Sequence, residues 1–183
     1  MRPTLSGSLG SEPMALQMIL CVETNKKADT DSIYIAETIA RWYTLTNQIK
    51  NSKVYMNTKT RYRSKDVLKT IDTMRKAFTI GETRVIYCID TDQYERNTEH
   101  AQQLEAIQHY CHENGYDLIW FCHDVEEVFC GQAVSDTEKV RTAAAFRRKK
   151  TIQEMQSGPL SSNVKRTGSS NILCVLDRYL PRK

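Results

Sequence analysis

Two carboxylates one residue apart, Asp90 and Asp92, directly follow the apolar run at 85–89. The run is short and rich in β-branched and aromatic residues, and Gly81 precedes it, which predicts a buried strand. Carboxylates on a turn that leaves a strand can both reach one hard cation such as Mg²⁺. The D-x-D pattern also fits an Asp turn followed by a helix N-cap, so on its own it leaves both interpretations open.

Acidic residues also follow two other predicted strands, with Glu23 after the run at 18–22 and Asp124 and Glu126 after the run at 116–122. In an open α/β sheet, right-handed crossovers bring the carboxyl ends of parallel strands to one edge. Like charges gathered there are unfavourable unless a cation neutralises them. We therefore expect a site for Mg²⁺ or Mn²⁺, ions that prefer oxygen ligands. Its candidate ligands are Glu23, Asp90, Asp92 and either Asp124 or Glu126.

Some residues near this edge also have structural interpretations. Glu126 falls in the first turn of a short predicted helix, where a carboxylate is favourable against the helix dipole. The next helix is expected to have Asp31 or Ser32 as its N-cap, and the alternative for Asp31 is a role as a metal ligand. His123 stands beside the proposed site and is a candidate hydrogen-bond donor to its ligands.

Strand and helix patterns alternate along most of the chain. Short apolar runs predict four strands, at 18–22, 54–56, 85–89 and 116–122. Apolar residues at helical spacing follow each strand, and Gly81 is expected to end the second helix. This order predicts the α/β class, with a mainly parallel central sheet and helices on both faces.

The chain is expected to form one folded domain. Residues 1–17 are rich in Ser, Gly and Pro and are set apart as a disordered leader or a remnant of an expression tag. The remainder is long enough for a sizeable core. It divides into an α/β core at 18–131 and a basic helical extension at 132–183. Within the extension, residues 157–170 are expected to be a flexible Gly/Ser-rich loop before a last helix at 172–180.

Cysteine usage and hydropathy favour a reducing, cytoplasmic location. None of the six cysteines forms a C-x-x-C pair, so neither a zinc site nor a disulfide framework is indicated. No segment resembles a signal peptide, and no apolar run approaches the length of a membrane span. A membrane role is therefore not expected.

The formal net charge of +4 is unevenly distributed along the chain. Residues 139–183 carry a balance of +9, which leaves −5 for the remainder, and a second basic stretch at 50–65 contains no acidic residue. Acidic site residues beside basic patches suit a polyanion brought to a metal centre, with a solvated basic surface as the alternative. The expected nucleic-acid contacts are Lys59, Arg61, Arg63, Arg147, Arg148, Lys149, Lys150, Lys165 and Arg166.

The order of these acidic motifs resembles that of a Toprim domain, a domain also found in topoisomerases, primases and OLD-family nucleases. The resemblance covers residues 18–130. It is carried by Cys21-Val22-Glu23-Thr24 with Asp31 eight residues on, by Cys88-Ile89-Asp90-Thr91-Asp92, and by Asp124-Val125-Glu126. The chain length, the Glu126 helix and the ending Ser169-Ser170-Asn171-Ile172-Leu173 are most similar to the small stand-alone RloB-like Toprim proteins. One position departs from the pattern, because Thr24 stands where such domains usually have Gly.

The resemblance implies a metal-dependent endonuclease that cleaves phosphodiester bonds in DNA or RNA, tRNA included. In such an enzyme Asp90 and Asp92 would hold Mg²⁺ or Mn²⁺, Glu23 would be a general acid or base or share a metal, and Glu126 would complete a second metal site. The late basic catalytic residue is assigned to Lys165, with Lys149 and Lys150 as alternatives. The resemblance further implies a role in bacterial anti-phage defence with an ATPase partner, and a homodimer is one assembly to test.

Two alternatives stay open. A Toprim-like module that binds nucleic acid or a partner protein without catalysis is favoured by Thr24. A phosphotransferase or phosphatase with an Asp nucleophile also uses D-x-D after a strand, but there the motif usually follows the first strand and here it follows the third. Replacement of Glu23 discriminates between these enzymes, because an aspartyl-phosphatase should tolerate it.

Overall fold

Four parallel strands form the central sheet of the computed structural model, which describes residues 15–183. They are β1 (Ala15–Val22), β2 (Ile49–Tyr55), β3 (Gly81–Asp90) and β4 (Asp117–Phe121), in the order β2-β1-β3-β4. β2 lies on one side of β1, and β3 and β4 lie on the other side. The space between the carboxyl ends of β1 and β3 is therefore the switch point, where doubly wound sheets bind ligands.

Helices cover both faces of this sheet. One face packs against α2 (Lys65–Ala77) and α3 (Thr98–Glu113). The other face packs against α1 (Asp31–Trp42), α4 (Val125–Cys130), α5 (Asp136–Lys149), α6 (Ser157–Leu160) and α7 (Ile172–Leu176). The predicted α/β class, with a parallel sheet between two helical layers, is thus confirmed. Within residues 15–183, every helix is too short or too polar to cross a membrane.

β1 lies inside the sheet and is buried on both faces. Its side chains alternate between the two hydrophobic cores, with Leu20 on the α1 side and Ile19 and Cys21 on the α2 side. This position explains why the strand has a continuous apolar run in place of an alternating pattern. The same burial fixes where the chain leaves the sheet, and so fixes the location of the residue that follows the strand.

Three strands, β1, β2 and β3, begin before their predicted starts, because polar residues interrupt or precede their apolar runs. β1 begins at Ala15, so residues 15–17 belong to the sheet and not to the predicted leader, whose other residues lie outside the described part of the chain. Gln17 is buried in β1, and its amide hydrogen-bonds to side chains of β2 and β3. β2 begins at Ile49 and is an edge strand, where polar and charged residues discourage pairing with other chains.

Gly81 begins β3, so its predicted role as the end of α2 is wrong. α2 ends at Ala77, with Phe78 as its C-cap. Gly81 pairs with Ala15 of β1, and a Cβ atom at this position would lie 1.8 Å from the Ala15 carbonyl oxygen. Glycine is required here because the two strand backbones approach closely.

The extension at 132–183 shares a hydrophobic core with the sheet. Phe146, Leu160 and Leu173 are buried among residues of β1, α1 and α4. The segment predicted as a flexible loop at 157–170 contains α6 and is tied to β4, because Cys122 N–H donates to the Ser169 carbonyl oxygen at 2.9 Å. The last helix, α7, ends four residues before its predicted end.

Asn171 closes the outer edge of β4. Its side-chain oxygen accepts from the Trp120 N–H at 2.9 Å, and its amide nitrogen donates to the Leu118 carbonyl at 2.9 Å. Ser170 Oγ donates to the Trp120 carbonyl at 2.7 Å. These side chains take the place of a further strand, and they protect an edge that would otherwise be open to pairing.

Candidate functional site

A polar pocket of about 390 Å³ opens at the switch point between β1 and β3. Glu23 is the first residue after β1, and Asp90 is the last residue of β3. Asp31 at the start of α1 and Lys139 in the first turn of α5 complete its charged lining, together with Asp136 at the rim. The remaining lining residues are Thr24, Asn25, Ala28, Thr30, Asn57 and Val140.

Glu23 and Asp90 are joined directly, because the Asp90 N–H donates to Glu23 Oε1 at 2.7 Å. Desolvation by burial raises the pKa of Glu23 to about 7, and the charges of Asp31 and Asp92 add to the shift. Lys59 and the Asp90 N–H act in the opposite direction. Glu23 therefore changes protonation near neutral pH, as a general acid or base requires.

Asp90 and Asp31 are also held in an environment that disfavours their ionised forms. Burial, followed by the charges of Glu23 and Asp31, holds the pKa of Asp90 well above its ordinary value. Burial, followed by the charge of Glu126, raises the pKa of Asp31 to about 7. Asp31 is the first residue of α1 with Thr30 as the N-cap, so the predicted capping role of Asp31 is wrong.

Glu126 is fully buried at the start of α4 and faces Lys139. Lys139 Nζ lies 3.2 Å from Glu126 Oε2, but the contact is an ion pair without hydrogen-bond alignment, and neither oxygen of Glu126 accepts a hydrogen bond from residues 15–183. Burial raises the pKa of Glu126, with Lys139 opposing that shift. The pKa of Lys139 is raised as well, because the charges of Glu126 and Asp90 outweigh its partial burial.

The two carboxylates of the D-x-D motif have different surroundings. Asp90 lines the pocket, whereas Asp92 turns away with a positive φ of 48° and forms an ion pair with Lys59. The ammonium of Lys59 is buried and also donates to the Asp90 carbonyl oxygen at 2.9 Å. Lys59 was expected on a nucleic-acid-binding surface, but it lies beneath the acidic site and neutralises one of its carboxylates.

Strained backbone conformations gather at the same edge of the sheet. Asn57, Asp92 and His123 all have positive φ angles, of 66°, 48° and 63°, in the loops after β2, β3 and β4. The Asp92 N–H donates to the His123 carbonyl at 2.9 Å, which ties two of these loops together. Positive φ in residues other than glycine is unfavourable and is concentrated at functional sites. The backbone conformations therefore point to the same edge of the sheet as the carboxylates do.

Lys165, assigned above as the late catalytic lysine, is not among the residues that line the pocket. Its ammonium lies 5.5 Å from the centre of the Trp120 ring, a cation–π contact on the outer side of β4. Lys139 occupies the position facing the carboxylates. Lys139 was not among the predicted site residues, because its place in the pocket depends on the packing of α5 against the sheet.

The other predicted nucleic-acid contacts lie at the surface, outside the pocket. Arg61 pairs with Asp66 at 2.5 Å, and Arg63 stacks over the ring of Tyr62. Arg147 pairs with Glu37 at 3.1 Å near the far end of α5. At 1.5 Å of rise per residue, that end lies roughly 14 Å along α5 from Lys139. The exposed basic residues beside it are Arg148, Lys149 and Lys150, and Arg166 is exposed in the loop before α7.

The donor set fits a hard divalent cation. Carboxylates of Glu23, Asp90 and Asp31 line one pocket, and burial raises the pKa of each of them. Thr24 Oγ1 is buried in the same lining without a hydrogen-bond partner in residues 15–183. Hard oxygen donors with uncompensated charge are the ligands that Mg²⁺ and Mn²⁺ take.

Comparisons of the chain with protein-family models, with curated proteins and with solved structures gave no match. What the structure defines is a doubly wound α/β protein with a carboxylate pocket at its switch point. The resemblance to Toprim and RloB-like proteins stays a prediction from the sequence motifs.

Proposed function

We propose that this protein is a metal-dependent nuclease that cleaves phosphodiester bonds in DNA or RNA. The observation that carries the proposal is the meeting of Glu23, Asp31 and Asp90 in one pocket opposite Lys139. A group of carboxylates beside a lysine suits a cation and a phosphate together, because the cation neutralises the acids and the lysine attracts the anionic substrate.

In this proposal Glu23 and Asp90 hold Mg²⁺ or Mn²⁺. The charge of Asp31 acts on Asp90, and the charge of Glu126 acts on Asp31. A bound cation of this kind polarises a phosphoryl oxygen and stabilises charge on attacking and leaving oxygens. Burial raises the pKa of Glu23 to about 7 when no cation is bound, and a cation held beside it would favour the ionised carboxylate that accepts a proton. Lys139 takes the role first assigned to Lys165 and neutralises charge that develops on the phosphate.

The proposed substrate is a polyanion that extends beyond the pocket. Arg61 and Arg63 are exposed in the loop that also carries Lys59, next to the site. A second basic group at the end of α5 lies roughly 14 Å from Lys139, a distance that several nucleotides span. Contacts of this kind favour a nucleic acid over a small phosphate ester.

The test is cleavage of supercoiled plasmid, single-stranded DNA and total tRNA by the full chain, each with Mg²⁺, with Mn²⁺ and with EDTA. The variants are Asp90→Asn and the matched control Asp72→Asn, an exposed residue of α2 that pairs with Lys76. We expect cation-dependent cleavage that Asp90→Asn reduces at least a hundredfold and Asp72→Asn leaves unchanged. Cleavage that persists in EDTA, or in Asp90→Asn, would overturn the proposal.

A second candidate function is a binding module without catalysis. The observation that favours it is the ion pair between Lys59 and Asp92, which already neutralises one expected metal ligand. Thr24 in place of the usual glycine points the same way. Cation and nucleic-acid binding without cleavage of any substrate would support this candidate. The anti-phage role, the ATPase partner, the homodimer and the cytoplasmic location rest on the sequence and its resemblance alone, and they stay predictions.

A further inference from the structure

A second group of metal-ligating side chains lies beside the carboxylate pocket. Glu95 in the loop after β3, and Cys122 and His123 directly after β4, place one ligating atom each within 4.8 Å of one another. Of this group only His123 was a candidate from the sequence, because the three residues come from two loops and lack C-x-x-C spacing. The three donors are a carboxylate, a thiol and an imidazole, a combination that differs from the all-oxygen set of the pocket.

The hydrogen bonds of His123 show how its ring is oriented. Nδ1 lies 2.7 Å from Glu127 Oε2, and Nε2 lies 3.3 Å from Glu95 Oε1. Glu127 is itself held, since its N–H donates to Asp124 Oδ1 at 2.7 Å. A histidine that donates one ring N–H to a carboxylate and turns its other nitrogen toward further ligands has the arrangement found at protein metal sites.

A bound cation accounts for the contact between Nε2 and Glu95 when the His123 ring is neutral. In a neutral ring that donates from Nδ1, the Nε2 lone pair would face the Glu95 carboxylate and repel it. A metal ion removes the repulsion, because two ligands with bonds of about 2.0 Å at tetrahedral angles lie about 3.3 Å apart. The observed Nε2–Oε1 separation of 3.3 Å matches that geometry.

Cys122 gives the site its selectivity. Its side chain is fully buried, and a thiol of ordinary pKa carries its proton at neutral pH. A metal that binds the sulfur releases that proton to solvent. Thiolate and imidazole ligands select Zn²⁺ over Mg²⁺, which prefers oxygen.

We propose that Glu95, Cys122 and His123 bind one Zn²⁺, with Glu127 as the positioning residue for His123 and the fourth position open to water. The ion would join the loop after β3 to the end of β4. That loop also carries Asp92, whose N–H already donates to the His123 carbonyl at 2.9 Å. The site is independent of nuclease activity and would exist in a binding module as well.

Cobalt is the probe for this site, because tetrahedral Co²⁺ bound to a thiolate absorbs in the near ultraviolet and the visible. We expect one equivalent of Co²⁺ to give both absorptions in the full chain, and Zn²⁺ to displace it. Cys122→Ser should abolish the near-ultraviolet band, whereas the matched control Cys174→Ser, a free and partly buried cysteine of α7, should retain it. Asp90→Asn should retain it too, which separates this site from the carboxylate pocket.

If circular dichroism shows that Cys122→Ser is misfolded, two further variants test the site. Glu95→Gln alters a partly exposed side chain, and we expect it to weaken Zn²⁺ binding at least tenfold in competition with a chromogenic chelator. Glu127→Gln should weaken the affinity roughly 10- to 100-fold, as loss of a histidine-orienting carboxylate does elsewhere. The absence of a thiolate band in the wild type, or a band that survives Cys122→Ser, would overturn the proposal and leave His123 as an imidazolium between two carboxylates.

Discussion

Lys139 Nζ lies 3.2 Å from Oε2 of Glu126, a carboxylate that no solvent reaches. The two residues come from different helices, α5 and α4, and their contact brings the basic extension onto the acidic edge of the sheet. Lys139 also opposes the pKa shifts of Asp90 and Asp31. The ammonium of Lys139 thus opposes the pKa shifts of three carboxylates, those of Glu126, Asp90 and Asp31.

Removal of Lys139 is expected to destabilise the fold. Lys139→Met leaves Glu126 buried without its cation, and the free energy of unfolding should fall by about 1–3 kcal/mol, less than for a fully buried pair because Lys139 is partly exposed. Urea denaturation in EDTA measures the change. The double variant Glu126→Gln/Lys139→Met should recover most of it, and Lys149→Met should stay within about 0.5 kcal/mol of wild type. A loss that the double variant does not relieve would argue against the pair.

Stability is expected to fall as pH rises from 5 to 8 when no divalent cation is present. The pKa values of Glu23 and Asp31 are raised to about 7, so between their ordinary values and 7 the folded chain binds more protons than the unfolded chain. Their stabilisation is complete at low pH and is lost as pH passes 7. The raised pKa of His123, where hydrogen bonds to Glu127 and Glu95 outweigh partial burial, acts in the same direction.

Urea denaturation in EDTA at pH 5, 6, 7 and 8 tests this expectation, with a total loss on the order of 1–3 kcal/mol. Glu23→Gln keeps an acceptor for the Asp90 N–H and removes one titrating group, so its pH dependence should be flatter than that of the wild type. A free energy of unfolding that rises between pH 5 and pH 8 would contradict the raised pKa values.

Gly81→Ala should be among the most destabilising single substitutions in the sheet. An added Cβ would overlap the Ala15 carbonyl oxygen, and both backbones are fixed by strand pairing. We expect a loss of about 3 kcal/mol or more in urea denaturation. Gly158→Ala is the matched control, because a Cβ there meets no atom within 4 Å and its φ is not positive. Equal stability of the two variants would disprove the close approach of β1 and β3.

The basic end of α5 is expected to contact nucleic acid through phosphates. Arg148→Ala/Lys149→Ala should weaken binding of all sequences and lower the slope of log K against log salt by up to about 2. Fluorescence anisotropy at several salt concentrations measures the slope. Arg75→Ala/Lys76→Ala removes two exposed charges at the end of α2, which leads to the opposite edge of the sheet, and should leave the slope unchanged. Equal slopes for both double variants would show a non-specific charge effect.

Much of the fold was accessible from the sequence because its determinants are local. The apolar runs of buried parallel strands and the turn residues after them place Glu23 and Asp90 at strand ends, and the structure confirms both positions. Gln17 shows the limit of this approach, since a buried amide paired with neighbouring strands has no local pattern.

The rest of the site depends on tertiary packing. Lys139 reaches the pocket because α5 docks on the sheet, and Lys59 is buried because the loop after β2 folds under Asp92. Their charges suggested a solvated basic surface, and only the assembled chain distinguishes a lysine at the surface from a lysine inside an acidic site. The Glu95, Cys122 and His123 group could not be predicted for the same reason.

The central claim, that the pocket at the switch point holds a divalent cation, is tested most directly by Mn²⁺ binding to the full chain. Electron paramagnetic resonance of free Mn²⁺ measures binding without any need for a substrate or a partner. We expect wild type and Asp72→Asn to bind equally, and Glu23→Gln and Asp90→Asn to bind at least tenfold more weakly. Equal Mn²⁺ affinity in all four proteins would contradict the claim and leave the carboxylate pocket without a metal.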